Sequence, residues 1–275
     1  MKPLILVTND DGIHSPGLHA AISAVHDLGD ILVIAPSVQQ SAMSRSLPPL
    51  FDGRIHRITL EQDGLSLEAY HLDGSPAQAV LYGFVEIADR PPDLVVSGIN
   101  YGENLGINTT ISGTIGAALQ GSDMGARAIA VSLETKKDFH YNHSPDVDWS
   151  CAGHWLRHFA IQALNPSSWP KDVMALKIDL PDSVIASTPW RITSQSLQPY
   201  YVSRRAQRDS LEVPGALDYE VYIDYDHLEA DSDIYAFAVD RVISVTPLST
   251  DLTARVSLAE FEKSLRNIST RSELL

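Results

Sequence analysis

Short runs of Val, Ile and Leu alternate with stretches of helical periodicity through the first two thirds of the chain. LILVT (4 to 8), ILVIA (31 to 35), DLVVSG (93 to 98), AIAVSL (128 to 133) and VMALKIDL (173 to 180) are the runs. Their near-continuous apolar character is that of strands buried on both faces of a parallel sheet. Between them, periodicity and start signals predict helices over 17–28, opened by Ser15 and Pro16; 76–88, opened by Ser75 and Pro76; 114–124; and 149–164. Such alternation builds crossover units, with helices on both faces of a doubly wound sheet. Residues 53 to 72, GRIHRITL followed by LSLEAYHL, read instead as a hairpin around Asp63 and Gly64, so a mixed sheet is expected.

The pattern changes after Pro181. WRITSQSL, LDYEVYIDY and AFAVDRVISVTPL are polar, strand-like pieces, and SLAEFEKSLRNI closes the chain as a helix. The expected organisation is an α/β core over residues 1–181 and a β-rich extension with a terminal helix over 182–275. The extension has too little apolar sequence to fold alone and needs the core or another subunit to cover it. Residues 135 to 148, TKKDFHYNHSPDVD, read as an exposed polar loop. No internal repeat or low-complexity segment interrupts the pattern.

Composition narrows the function classes. The 275 residues suffice for one large α/β domain with an extension, and 44% hydrophobic against 20% charged residues is ordinary for a globular chain. A formal charge of −15, from 35 acids against 20 bases, opposes binding to nucleic-acid polymers or anionic membranes. An anionic substrate would then need local neutralisation, for which a bound metal ion is economical. The lone Cys151 excludes an internal disulfide and any multi-cysteine metal site. Only four apolar residues precede Thr8, too few for a secretory core, and no stretch is long and apolar enough to span a membrane. A cytoplasmic location is expected.

The candidate chemistry begins where the first strand ends. Asp10 and Asp11 stand together in TNDDGIHSPGL, at the carboxyl end of a predicted parallel strand, where open α/β sheets bind ligands. The loop lacks the G-x-G-x-x-G spacing of dinucleotide sites, and two carboxylates would repel a pyrophosphate. Adjacent carboxylates hinder each other's ionisation unless a cation is shared, which points to a divalent metal. The alternative is that one caps the following helix while the other is solvated. After the second strand, APSVQQSAMSRS offers a hydroxyl from Ser41 or Ser44 and a cation, Arg45, that could face an anion. After the next long strand comes SGINYGENLGINTTISGTIGAALQG, rich in Gly and carrying Asn100, Asn104 and Asn108. Ser112 as a helix cap, with the free amides of Gly113 and Thr114, makes either an anion site or an ordinary helix start. Loops of that length in a compact domain usually carry function.

Taken together, TNDDGIHSPGL, the serine of QQSAMS, DLVVSGINYGENLG and SGTIGAALQG closely resemble the SurE family of metal-dependent nucleotidases. The resemblance spans residues 4 to 133 and continues weakly to SDIYAF and ISVTPL. It implies a Rossmann-like three-layer core and one divalent metal per subunit, Mg or Mn, held by Asp10, Asp11, Ser41 and Asn100. It implies phosphate release from nucleoside monophosphates, with 3'-nucleotidase and short-polyphosphate activity as possible side reactions. It also implies a homodimer or homotetramer that exchanges its carboxyl-terminal segment. Asn9, Asn104, Ser112, Gly113 and Thr114 would then hold substrate and phosphate, and a water on the metal would attack phosphorus. No general acid is evident.

The chain departs from the family pattern at GSPAQAV (74 to 80), at Asp240 to Ile243 and at LKIDLP (176 to 181), none of which touches the inferred metal ligands. HWLRH (154 to 158) has a metal-like His spacing but lacks the Glu of a zincin. His14 beside the dyad, and Arg204 with Arg205, could reach an active site or merely face solvent. Two alternatives to the nucleotidase remain: a haloacid-dehalogenase-type phosphatase with an aspartyl nucleophile, whose chemistry favours D-x-D over adjacent acids, and a noncatalytic nucleotide or metal sensor.

Overall fold

The computed structural model describes residues 2–268 apart from 50, 51, 63, 143, 145, 166 and 168, and gives only the backbone for 267 and 268. In chain order the elements are β1 (Leu4–Thr8), α1 (Pro16–Val25), β2 (Asp30–Pro36), β3 (Ile55–Gln62), β4 (Leu65–Leu72), α2 (Pro76–Tyr82), β5 (Leu94–Tyr101) and α3 (Gly113–Asp123). They continue with β6 (Arg127–Leu133), α4 (Ser150–Leu164), β7 (Ala175–Leu180), β8 (Trp190–Ile192), β9 (Tyr201–Arg204), β10 (Asp218–Val221), β11 (Ile243–Leu248) and α5 (Leu258–Ile268).

Nine strands form one sheet in the order β3-β4-β2-β1-β5-β6-β7-β11-β8. The central pairs are parallel, with Ile5 opposite both Ile31 and Leu94. The flanks are antiparallel where β3 meets β4 and where β11 meets β7. Alternation along β1 splits the core in two. Ile5 and Val7 face Leu18 and Ile22 of α1 and Leu156 and Phe159 of α4. Leu4 and Leu6 face Val80 of α2 and Ile115 of α3 on the other side. The result is a three-layer α/β fold with a mostly parallel sheet.

The hairpin over 53–72 is present: Gln62 pairs with Leu65 and β3 runs antiparallel to β4, while Asp63 itself lies outside the described residues. The helix expected to reach residue 88 changes at Tyr82 into a π-helical turn, Gly83–Ile87. Gly83 lies so close to the sheet that a Cβ there would meet Leu6 Cδ1 at 2.8 Å and Ile34 Cγ2 at 2.9 Å. AFAVDRVISVTPL becomes a strand only from Ile243. Its first part is a π-helical turn, Tyr235–Val239, started by the Ser232 hydroxyl accepting from Tyr235 N, with Phe237 packed on Leu105, Tyr200 and Ile234.

Residues 135–148 form the expected loop, largely exposed among the described residues, with one short helical turn in it. Its 3₁₀ turn, Lys137–Tyr141, is held to the tyrosines of the last third, where the His140 ring meets Tyr219 and Tyr201 and His140 Nδ1 lies 2.8 Å from the Tyr219 hydroxyl. His143 and Pro145 of that stretch lie outside the described residues. The last third covers itself on the core: β11 and β8 extend the main sheet, and β9 with β10 forms a separate hairpin. No described helix is long and apolar enough to cross a membrane.

Candidate functional site

The site lies past the carboxyl ends of β1 and β5, where two crossovers diverge. Asn9 shapes the first loop: its Nδ2 donates to Gly12 O at 3.1 Å and its Oδ1 accepts from Gly12 N at 3.2 Å. Both ends of that amide therefore brace the turn. Asp10 and Asp11 follow, 6% and 2% exposed. The Asp10 carbonyl accepts from Gln40 N at 2.7 Å, which ties this loop to the one after β2.

The second half of the site is set by β5 and α3. The β5 to β6 register shifts between Ser97 and Asn100. Gly98 makes that possible: its φ is +131°, and a Cβ would stand 2.4 Å from Val131 O. Asn100 Nδ2 donates to the carbonyls of Tyr101 and Gly102, which leaves Oδ1 as the oxygen open to a ligand. Asn104 donates its Nδ2 to Ser132 Oγ at 2.8 Å. Ser112 caps α3 by accepting from Ile115 N, and the Thr114 hydroxyl donates to Asp10 Oδ1. Gly113 packs against the carboxylate, so that a Cβ there would lie 2.8 Å from Asp10 Oδ2.

The two carboxylates are uncomfortable in this environment. Burial lifts Asp10 to about 6, against the pull of the Thr114 hydroxyl and backbone N–H. Burial also lifts Asp11 well above the usual carboxylate range, and the neighbouring charge of Asp10 adds to it. Tyr101 N and Gln39 Nε2 donate to Asp11, at 3.2 and 3.1 Å, and offset only part of that cost. None of the groups acting on either acid is a cation. A shared divalent cation would remove the penalty. Among the described residues no group of three or more His, Cys, Asp or Glu side chains could hold a metal. A donor set here must therefore be the two carboxylates completed by neutral oxygens, which suits a hard ion such as Mg or Mn.

Asp10, Ser41, Asn100, Asn104 and Ser112 line one cleft of about 270 Å³. Asp11 and Thr114 stand behind its wall through the contacts above. Ser44 is not the hydroxyl on offer, since it donates to Thr110 O at 2.8 Å, and Arg45 pairs with Asp123. Arg204 pairs with Glu220 on the neighbouring strand. His14 and His154 line a different, open groove between α1 and α4.

Several cleft residues carried no sequence signal. Glu103, His140, Tyr201 and Tyr219 complete the wall. Asn108 from the glycine-rich loop holds the tyrosine strand over the site, its Oδ1 accepting from Tyr200 N at 2.7 Å and Tyr201 N at 2.9 Å. Beneath the loop lies a fully buried charge cluster. Lys177 Nζ is 2.6 Å from Asp179 and 2.9 Å from Asp233. Those carboxylates accept from Asn104 N and Gly106 N, at 2.7 and 3.0 Å, and so fix the backbone that carries Asn104.

A family model described as Survival protein SurE matches residues 5–202. The chain belongs to the SurE family. A 5'-nucleotidase SurE of Thermococcus gammatolerans is 36% identical over 269 residues, covering 96% of this chain and 95% of that protein. One of Methanothrix thermoacetophila is 37% identical over 262 residues, covering 93% and 96%. The crystal structure of the SurE protein from Aquifex aeolicus superposes with a TM-score of 0.73 at 27% identity, over 97% of this chain and 100% of that one. The structural likeness to a SurE protein thus runs through the extension as well as the core.

Proposed function

We propose that this SurE-family chain is a metal-dependent phosphomonoesterase that releases phosphate from nucleoside monophosphates, chiefly 5'-nucleotides. The observation that carries the reading is the pair Asp10 and Asp11, buried without a cationic partner, with Asp10 on the cleft wall beside the neutral oxygens of Ser41 and Asn100 and Asp11 directly behind it. Relatives named 5'-nucleotidase over nearly the whole chain support the substrate class.

Asp10, Asp11, Ser41 and Asn100 would hold the ion. When bound it would polarise the phosphoryl group and make water a better nucleophile at neutral pH. The protein's own part is positioning. Thr114 and Gln39 hold the two carboxylates apart and in place. The amino-terminal turn of α3, with Ser112 and Gly113 beside Asp10, favours phosphate oxygens where negative charge develops. Asn104 faces the same cleft from a backbone clamped by Asp179. Asn9 serves the site by stapling the dyad loop.

The extension would close the assembly as a homodimer or homotetramer in the cytoplasm. Leu258, Phe261 and Leu265 of α5 are 62%, 55% and 53% exposed, three apolar side chains on one helical face that no described residue covers.

A phosphate-release panel tests the reading: 5'- and 3'-nucleoside monophosphates, short polyphosphate and a nitrophenyl ester, with chelator and then with Mg or Mn restored. Release from 5'-nucleotides, abolished by chelator and recovered with metal, is expected. Nucleotide binding without turnover under any metal would overturn it in favour of a sensor.

A further inference from the structure

Cleavage of an alkyl phosphate needs a proton as well as a nucleophile. The departing ester oxygen carries an electron pair away from phosphorus, and as an alkoxide it is a poor leaving group. A placed acid contributes about 10²- to 10⁴-fold to such a step. Asp10 and Asp11 are poor choices for this work, since both are engaged by the donors that fix them as a cation site.

Glu103 lines the same cleft as Asp10, Ser41 and Asn100. It is buried, and the Tyr201 hydroxyl donates to its Oε1 at 2.6 Å. Its Oε2 is also hidden from solvent, and the Tyr200 hydroxyl acts on the same carboxyl beside that of Tyr201. Tyr201 is itself fastened by Asn108, so the carboxyl is aimed by a chain of contacts that begins in the glycine-rich loop. The fold does not use Glu103 as a charge, because none of the groups acting on it is a cation. A buried carboxyl without a cationic partner on the wall of a reaction cleft is placed to serve as a proton donor.

We propose that Glu103 is the general acid of the reaction, giving its proton to the ester oxygen as the phosphorus–oxygen bond breaks, with Tyr201 as its positioning residue. This rests on the phosphomonoesterase reading above. Water adds its oxygen to phosphorus, the bonding pair leaves with the ester oxygen, and that oxygen takes the Glu103 proton to give an alcohol and inorganic phosphate. Solvent then restores the proton to Glu103.

The surroundings hold the acid in the required form. Burial raises Glu103 to about 7, the charge of Glu134 pushes the same way, and the hydroxyls of Tyr201 and Tyr200 pull it down. Tyr219 from β10, His140, Tyr101 and Tyr141 are the other titratable groups of that wall, with Asp10 in the same cleft. Arg241 binds Glu134 and moderates its effect. A substantial fraction is therefore protonated near neutral pH.

The test compares wild type with Glu103→Gln and Tyr201→Phe on monoesters graded by leaving group, from nitrophenyl phosphate through phenyl and alkyl phosphates to a nucleoside monophosphate. Glu103→Gln should lower kcat on the nucleotide about 100-fold and far less on nitrophenyl phosphate, whose leaving group needs little protonation. The fall in wild-type rate above about pH 7 should vanish in Glu103→Gln. In Tyr201→Phe it should move to higher pH, because a group that lowers Glu103 is gone. Equal losses on all esters, no loss, or an alkaline limb unchanged in both variants would overturn the assignment. Should Glu103→Gln not fold, the limb of Tyr201→Phe decides alone. Wild-type turnover of alkyl esters but not of nucleotides would sink the nucleotide reading while the series still judges Glu103, and no turnover at all would sink both.

Discussion

The Thr114 hydroxyl donates a hydrogen bond to Asp10 Oδ1 across 104 positions of sequence. It joins the loop after β1 to the first turn of α3, so two crossover units that share no local sequence meet on one carboxylate. The positive end of α3 is thereby turned onto the acid dyad, where it favours negative charge on Asp10 and on any phosphate beside it.

Gly113 is the residue that lets those units approach. An alanine Cβ at this position would stand 2.8 Å from Asp10 Oδ2 and 3.1 Å from the Gln40 carbonyl. Gly113→Ala should therefore displace Asp10 and lower kcat/KM on a nucleoside monophosphate roughly 100-fold. Ala favours helix over Gly by up to about 1 kcal/mol, so thermal stability should change little. Normal activity with a normal Tm would show that the carboxylate's position is not critical.

Asp11→Asn removes one of two buried anions that have no cationic partner. Its apo form should melt above wild type, because the mutual repulsion is relieved. Its metal-dependent phosphatase activity should vanish, along with most of the rise in Tm that Mg or Mn gives the wild type. A Tm shift with metal equal to that of the wild type would remove Asp11 from the donor set.

Legibility in the sequence followed the range of the interactions. β1 was readable because Leu4 to Val7 are consecutive apolar residues, and the dyad because two acids followed such a run directly. Ser112 carried a local cap signal. Glu103 did not, since its meaning comes from Tyr201, 98 positions away. His140 and Tyr219 were hidden for the same reason, their contact spanning 79 positions in a stretch whose polarity suggested solvent. Lys177 interrupts an apolar strand, and nothing near it announces that Asp233 will complete its pairing. AFAV alternates like a strand, but the cluster around Phe237 rewards a helical turn instead.

Glu103 also predicts a pH dependence of stability. Its carboxyl is raised from 4.5 to about 7 in the folded protein. A raised acid favours folding fully below its unfolded value, and that contribution is lost as pH climbs through the folded one. The difference corresponds to about 3 kcal/mol lost between roughly pH 4.5 and 7. Chemical denaturation of wild type and Glu103→Gln across this range should show the wild type losing ground to the variant as pH rises. Parallel curves would mean that Glu103 titrates alike in both states.

Exposure of Leu258, Phe261 and Leu265 along α5 predicts association through the extension. Light scattering at micromolar concentration should give the mass of two or four chains. Phe261→Asp combined with Leu265→Asp should reduce it to one, because two charges cannot be buried unpaired in an apolar contact. A wild-type monomer would count against the proposed assembly.

The nucleophile can be distinguished by where heavy oxygen goes. Asp10 receives Thr114 on Oδ1, and Asp11 receives Gln39 on Oδ1 and Tyr101 N on Oδ2. A carboxylate that attacks phosphorus must turn one oxygen in line with the departing group, and three of the four oxygens are already held by these donors. Water has no such restraint. In a single turnover in oxygen-18 water with enzyme in excess, the label should appear in inorganic phosphate, and the peptide containing Asp10 and Asp11 should keep its natural mass. If an aspartyl phosphate formed instead, water would open it and the label would enter Asp10 or Asp11. Direct attack by water would then give way to a phosphatase with a carboxylate nucleophile.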